Sequence, residues 1–175
     1  MNIQDENEKV ISFLCTELER VDKWLSFGEA KNAALVAMNI AVLSVGVEFK
    51  CKSLFLGLRI CVVISMLIAL LSFWPIMVNK ASAIRLKCMK VRQSGANYLF
   101  FSDIATLNNG KSYLDIVKNQ YIRVEFDTTE KYKVDLADEI VVNSRIAVVK
   151  YGIFRIALVI DIIAISLMAI LFLFD

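Results

Sequence analysis

Three apolar runs of membrane-spanning length restrict this 175-residue chain to few architectures. They lie at Ala33–Phe49, Leu54–Val78 and Tyr151–Phe174. A bilayer core about 30 Å thick needs roughly 20 predominantly apolar residues, at about 1.5 Å rise each. The second and third runs meet that length, and the first, at 17 residues, stands at the lower limit. Lipid offers no water to backbone N–H and C=O groups, so each run is expected as an α-helix. The chain reads as an all-α polytopic membrane protein, with three transmembrane helices and a helical cytoplasmic bundle. Hydrophobic residues make up 58% of it. That exceeds the soluble norm of about 45–50%, and the excess sits in the runs.

Charge gives the orientation. Lys9, Arg20, Lys23 and Lys31 precede the first run, and only Lys50 and Lys52 follow it before the second. Twelve of the 20 Lys and Arg residues fall between the second and third runs, with Lys80, Arg85, Lys87, Lys90 and Arg92 close behind the second. Basic residues favour the cytoplasmic side. The N-terminus and the middle segment are therefore expected inside, with the Glu48–Ser53 loop and Asp175 outside. The segments become a cytoplasmic helix at 1–32, spans at 33–49, 54–78 and 151–174, and a cytoplasmic helical segment at 79–150. The first 32 residues lack the form of a secretory signal, and the first span is expected to act as an uncleaved anchor. A net charge of +2 gives no reason to expect nucleic-acid binding.

Val10, Phe13, Leu14, Leu18, Val21 and Leu25 follow helical spacing, which predicts an amphipathic helix over Asp5–Phe27. It can continue through Gly28 into the first span. It suits either a membrane surface or packing against other cytoplasmic helices. Pro75, the only proline, predicts a kink in the second helix, which would run on through Asn79–Arg92. Asn108–Asn109–Gly110 predicts a turn. Residues 111–127 suit a helix, with a strand over Ile122–Phe126 as the alternative. Thr128 or Thr129 is the expected cap of a long helix from Glu130 to about Phe174. Tyr132, Leu136, Ile140, Asn143, Ala147 and Lys150 trace one face of it.

Arg59, Arg155, Asn39 and Asp161 interrupt the spans. The two arginines are near enough to an interface to snorkel. Asp161 lies roughly 15 Å deep by helical rise, with Asn39 and Ser65 at similar depth. A carboxyl there faces the bundle interior, a partner or a water path. It is either an interhelical hydrogen-bond partner or part of a pore or gate. Serine or cysteine hydrolases want a histidine base, and the chain has no histidine. No C-x-x-C pair, phosphate loop or dinucleotide fingerprint is present. The four cysteines read as structural. No metal, cofactor or enzymatic activity is expected.

Three stretches carry a resemblance: "GEAKNAALVAMNIAVLS" at Gly28–Ser44, "LFFSDIATLNNGKSY" at Leu99–Tyr113 and "EIVVNSRIAVVKYGIFRIAL" at Glu139–Leu158. In these stretches, and in the order of its elements, the chain resembles the transmembrane effectors of bacterial Pycsar anti-phage systems. Glu29 stands where those effectors often carry Asp, a conservative departure. The resemblance implies a partner cyclase that makes a cyclic pyrimidine nucleotide, cCMP or cUMP, during infection. The effector would sense that activating ligand and damage the inner membrane, causing abortive infection. Arg85, Lys87, Lys90, Arg92, Arg123 and Arg145 are then candidate phosphate contacts, although the first four also suit topology-setting charge beside anionic lipid. Asn39 and Asp161 are the candidate intramembrane gating residues. Membrane lipid and further copies of the chain are the other expected partners, because three spans alone enclose little room for water. Two other readings stay open: a membrane anchor or interaction protein, and a small ion-channel or transporter subunit. The expected location is the bacterial inner membrane, multi-pass, with the N-terminus cytoplasmic. Reporter fusions at Asp175 should then report an outward terminus, and a cytoplasmic reporter there would remove the topology.

Overall fold

In the computed structural model the chain is described over residues 3–44, 52–74, 95–122 and 126–174, and every regular element among them is helical. Helix α1 spans Ile3–Ser44 and α2 spans Lys52–Leu70, followed by a 3-10 turn at Leu71–Phe73. Helix α3 is the short Phe101–Ile104, and α4 is Gly110–Ile116, extended by a π-helical turn at Val117–Ile122. Helix α5 spans Lys131–Phe174. Residues 111–122 are helical as expected, and the strand alternative over Ile122–Phe126 falls mostly on residues 123–125, which lie outside the described residues.

The chain divides into two compact units: Met1–Ser26 with Ile76–Val148, and Phe27–Pro75 with Val149–Asp175. Helices α1 and α5 each supply residues to both. In the first unit α1 buries Val10, Leu14, Glu17 and Val21, spaced by four, three and four. That spacing keeps them on one stripe. Trp24 on the same helix meets the aromatic pair, 6.1 Å edge-on from Phe100 and 5.5 Å from Phe101. Phe13 stacks on Tyr121 of the π turn at 6.2 Å, and the Tyr98 backbone N–H donates to the Tyr121 hydroxyl.

The start of α4 is set by two contacts. The Asn109 side chain accepts from the Ser112 N–H at 2.9 Å and caps the helix. The Gly110 N–H donates to Asp138 Oδ1. A Cβ on Gly110 would stand 2.4 Å from the Asp138 backbone nitrogen, so α4 meets the α5 backbone where only glycine fits.

The second unit packs the end of α1, helix α2 and the second half of α5 around Leu35, Ala69 and Ala157, with Val36, Ile68, Phe154 and Leu158 against them. Small residues let helix backbones approach closely, as membrane bundles require. Two helices among the described residues are long and apolar enough to cross a membrane: Phe55–Phe73, and an apolar window within Lys131–Leu173. Only 28% and 17% of those windows are buried, so neither is the core helix of a water-soluble domain. Leu56, Ile60, Leu67, Ile163 and Leu173 are among the large apolar side chains left exposed. Apolar surface on that scale calls for lipid or a partner.

Several expectations change. Two candidate spans are found, not three. The described part of the first run, 33–44, reaches only about 18 Å at helical rise, short of the bilayer core. The described part of the second helix ends at Trp74, whose backbone is extended with ψ 135°, and the expected kink at Pro75 and the run through Asn79–Arg92 lie outside the described residues. A residue before proline is pushed out of the helical region. Neither Thr128 nor Thr129 caps α5. Thr129 donates its N–H and hydroxyl to Asp127 Oδ1 instead, and the Glu130 carbonyl accepts the first helical bond, from Val134 N–H. The buried face of α5 runs through Lys133, Ala137, Ile140, Ser144 and Ala147, while Tyr132 is exposed.

Gly110→Ala should destabilise the first unit by about 1–3 kcal/mol, the usual cost of overpacking. No rotamer relieves a Cβ pressed against backbone. Limited proteolysis of the membrane-inserted protein should show faster cleavage near residues 105–122, and unchanged cleavage would mean that the close approach is absent.

Candidate functional site

Three polar side chains meet inside the second unit. Asn39 on α1, Ser65 on α2 and Asp161 on α5 are all fully buried. Asn39 Nδ2 donates to Ser65 Oγ at 3.4 Å, and Ser65 Oγ donates to the Ala157 carbonyl at 2.9 Å. Asp161 lies beside both side chains, yet neither of its carboxyl oxygens has a hydrogen bond of ordinary geometry, and Asn39 Oδ1 also lacks a donor. Leaving such groups desolvated and unsatisfied is expensive. The structure thus brings together Asn39, Ser65 and Asp161, which sequence depth alone had placed at one level.

A second cluster joins two of the stretches that carry the family resemblance. Gly28 lies against Tyr151, where a Cβ would stand 3.2 Å from its ring. Asn32 Nδ2 donates to the Gly28 carbonyl at 2.9 Å and to the Lys150 carbonyl at 3.3 Å. Lys150 pairs with Glu29. The Lys31 ammonium lies 4.6 Å, 5.1 Å and 5.6 Å from the ring centroids of Phe27, Tyr151 and Phe154. Each contact is a cation–π attraction that keeps a charge at home against apolar surface. The Glu29–Lys150 pair and the Lys31 cage make this end of the bundle a polar clamp. The arginines expected to snorkel differ: Arg59 donates to the Leu43 carbonyl and covers the Phe55 ring, whereas Arg155 is exposed.

The first unit carries an open groove of about 720 Å³ along α1. Glu8, Lys9, Ser12, Phe13, Thr16, Glu17 and Arg20 line it, with Leu99. Glu17 is buried beneath Arg20, which pairs with it at 2.9 Å. Burial pushes the Glu17 carboxyl up from its usual range, and the Arg20 charge partly offsets that. Next to this pair is Tyr113, wholly buried with its hydroxyl unpartnered. Burial first, and then the Glu17 charge, push that phenol up.

Of the basic residues singled out in the sequence, Arg85, Lys87, Lys90, Arg92 and Arg123 lie outside the described residues. Arg145 is placed. Its guanidinium donates to the carbonyls of Ala105, Leu107 and Asn108, holding the loop that leads into α4. Burial lowers its affinity for the proton, and Asp138 restores part of it. Sequence reading missed the Glu17–Arg20 pair, the buried Tyr113 and the Glu29–Lys150 pair. Their sequence signals are slight: an acidic residue three positions before an arginine, and a Lys–Tyr step at the head of an apolar run.

The sequence profile of the Pycsar effector protein domain matches residues 13–174. No curated protein and no solved structure matches the chain. The matched span includes the intramembrane polar cluster, the clamp and most of the α1 groove. With nearly the whole chain covered, it belongs to the Pycsar effectors, membrane effectors of antiviral defence that work with a partner cyclase.

Proposed function

We propose that this protein senses a cyclic pyrimidine nucleotide, cCMP or cUMP, released by a partner cyclase during phage infection, and then breaches the bacterial inner membrane to cause abortive infection. The observation that carries this reading is the family match over residues 13–174. The helix arrangement is consistent with it. Helices α1 and α5 each supply residues to both compact units, so the same chain segments take part in sensing and in the membrane. They carry a signal only if binding favours one arrangement of the helices over another.

In this reading 1–32 and 79–150 form the cytoplasmic sensor, and the N-terminus faces the cytoplasm. Arg85, Lys87, Arg92 and Arg123 are available for phosphate, while Arg145 holds the carbonyls of Ala105, Leu107 and Asn108, and several copies of the chain assemble in the membrane. Asn39 and Asp161 act as the gate. A polar cluster closed within one bundle must rearrange before it can line a path for water, and the unsatisfied Asp161 oxygens lower the cost of that rearrangement.

Inducing the protein in cells with and without supplied cCMP or cUMP, while following dye entry, tests the proposal. Entry only with nucleotide is expected. Asp161→Asn keeps size and hydrogen bonding but removes the charge, so killing should fall at matched, membrane-inserted protein level. An interhelical hydrogen bond in a membrane averages only about 0.6 kcal/mol. If that were all Asp161 supplied, Asp161→Asn and Asp161→Leu would both kill normally, and the gate would be lost from the mechanism. Crosslinking in membranes should show homo-oligomers, and monomer alone under both conditions would oppose assembly.

A further inference from the structure

The groove along α1 has the makings of a small-molecule site. Its volume of about 720 Å³ exceeds the bulk of a mononucleotide and lies within the range of ordinary ligand sites. Phe13 lines it, and Tyr121 stacks on that ring at 6.2 Å. An aromatic ring held in this way is a platform for a planar base. Leu99 adds apolar surface to the lining. Ser12 and Thr16, one helical turn apart, add two hydroxyls, and the Thr16 hydroxyl donates to the Ser12 carbonyl.

The charges are arranged for a ligand with one anionic end. Glu17 is buried and already paired through Arg20 Nη1, while the Arg20 side chain is 42% exposed. The remaining guanidinium N–H groups of Arg20 therefore have access to the groove. A guanidinium offers a fork of donors that matches two phosphate oxygens. Glu8, exposed at the other end of the lining, suits the donor groups of a base edge. One anion on a flat, polar, aromatic body describes a cyclic nucleoside monophosphate.

We infer that the α1 groove is the nucleotide-binding site, with the base on Phe13 between the ring and Leu99, and the phosphodiester on Arg20. This inference rests on the cyclic-nucleotide reading above and adds a location to it. It places the phosphate away from Arg145, whose guanidinium is committed to three carbonyls. It also explains why Arg20 sits over a buried carboxylate. A phosphate competing for Arg20 weakens its hold on Glu17, beside the unpartnered Tyr113 hydroxyl in the unit's core. Ligand binding is thus coupled to packing beneath the groove.

The test uses the full-length protein in lipid nanodiscs, with calorimetric titration of cCMP and of cUMP. Ser12 and Thr16 are exposed, so Ser12→Trp and Thr16→Trp should leave insertion and thermal unfolding unchanged. Each fills the groove. Each should weaken binding by at least about tenfold, and should raise the nucleotide level needed for dye entry in cells. If wild-type protein binds one of the nucleotides and both variants bind it equally well, the groove is overturned while the sensing function stands. A matching loss in Arg85→Ala or Lys87→Ala would then move the site to the basic stretch. If wild-type protein binds neither nucleotide, the sensing function fails together with the groove.

Discussion

Backbone hydrogen bonding within two long helices is the constraint from which the rest of this structure follows. Helices α1 and α5, of 42 and 44 residues, close their own N–H and C=O bonds along their length. That closure is obligatory in lipid, and in water it leaves side chains to decide what packs where. Because each helix serves both units, the same continuous backbone must present charged and apolar residues in turn. The mean character of α5 illustrates this: Lys131, Asp135, Glu139 and Arg145 occupy its first half, and its last half is almost wholly apolar. Short elements such as α3 and α4 then need outside support. They receive it from the Asn109 cap, the Gly110 approach and the Arg145 guanidinium on the preceding carbonyls.

Buried charge is handled differently in the two units. In the first unit each buried ion has a named counterpart: Glu17 has Arg20, and Lys133 has Asn7 at 2.7 Å and Glu130 at 2.6 Å, with the Phe126 ring 5.5 Å away. Such pairs contribute little net stability, but removing one partner costs several kcal/mol, on the order of 3–5. They specify one packing over its neighbours. In the second unit Glu29 and Lys150 pair in the same way, but Asp161 has no ordinary hydrogen bond. Asn32 Oδ1, Asn39 Oδ1 and Ser72 Oγ in the same unit lack partners too, so its buried polar groups give up little hydrogen bonding when the bundle rearranges.

Much of this was legible from periodicity. The all-helical character, the helical course of 3–44 and the common depth of Asn39, Ser65 and Asp161 all follow from counting residues against a 3.6 repeat and a 1.5 Å rise. What was not legible depends on distant partners. A periodic reading puts apolar Tyr132 and Leu136 on the core face of α5, whereas the structure buries Lys133, because Asn7 sits there to receive its ammonium. Asp127 accepts the Thr129 N–H and hydroxyl in a local turn ahead of α5 that leaves no mark in hydropathy. The α1 groove is invisible in sequence for a related reason. Its lining is mostly one helix, but its platform is completed by Tyr121, more than a hundred positions away.

The π-helical turn at Val117–Ile122 has a further consequence. A π turn takes up one residue more than the α-helix it interrupts. A one-residue change in chain length is therefore absorbed inside the turn, and the residues of α4 before it keep their facing whether or not the extra residue is present. The Phe13–Tyr121 stack and the Tyr98–Tyr121 hydrogen bond both fall on the turn itself, the part of the helix that such a change would reshape.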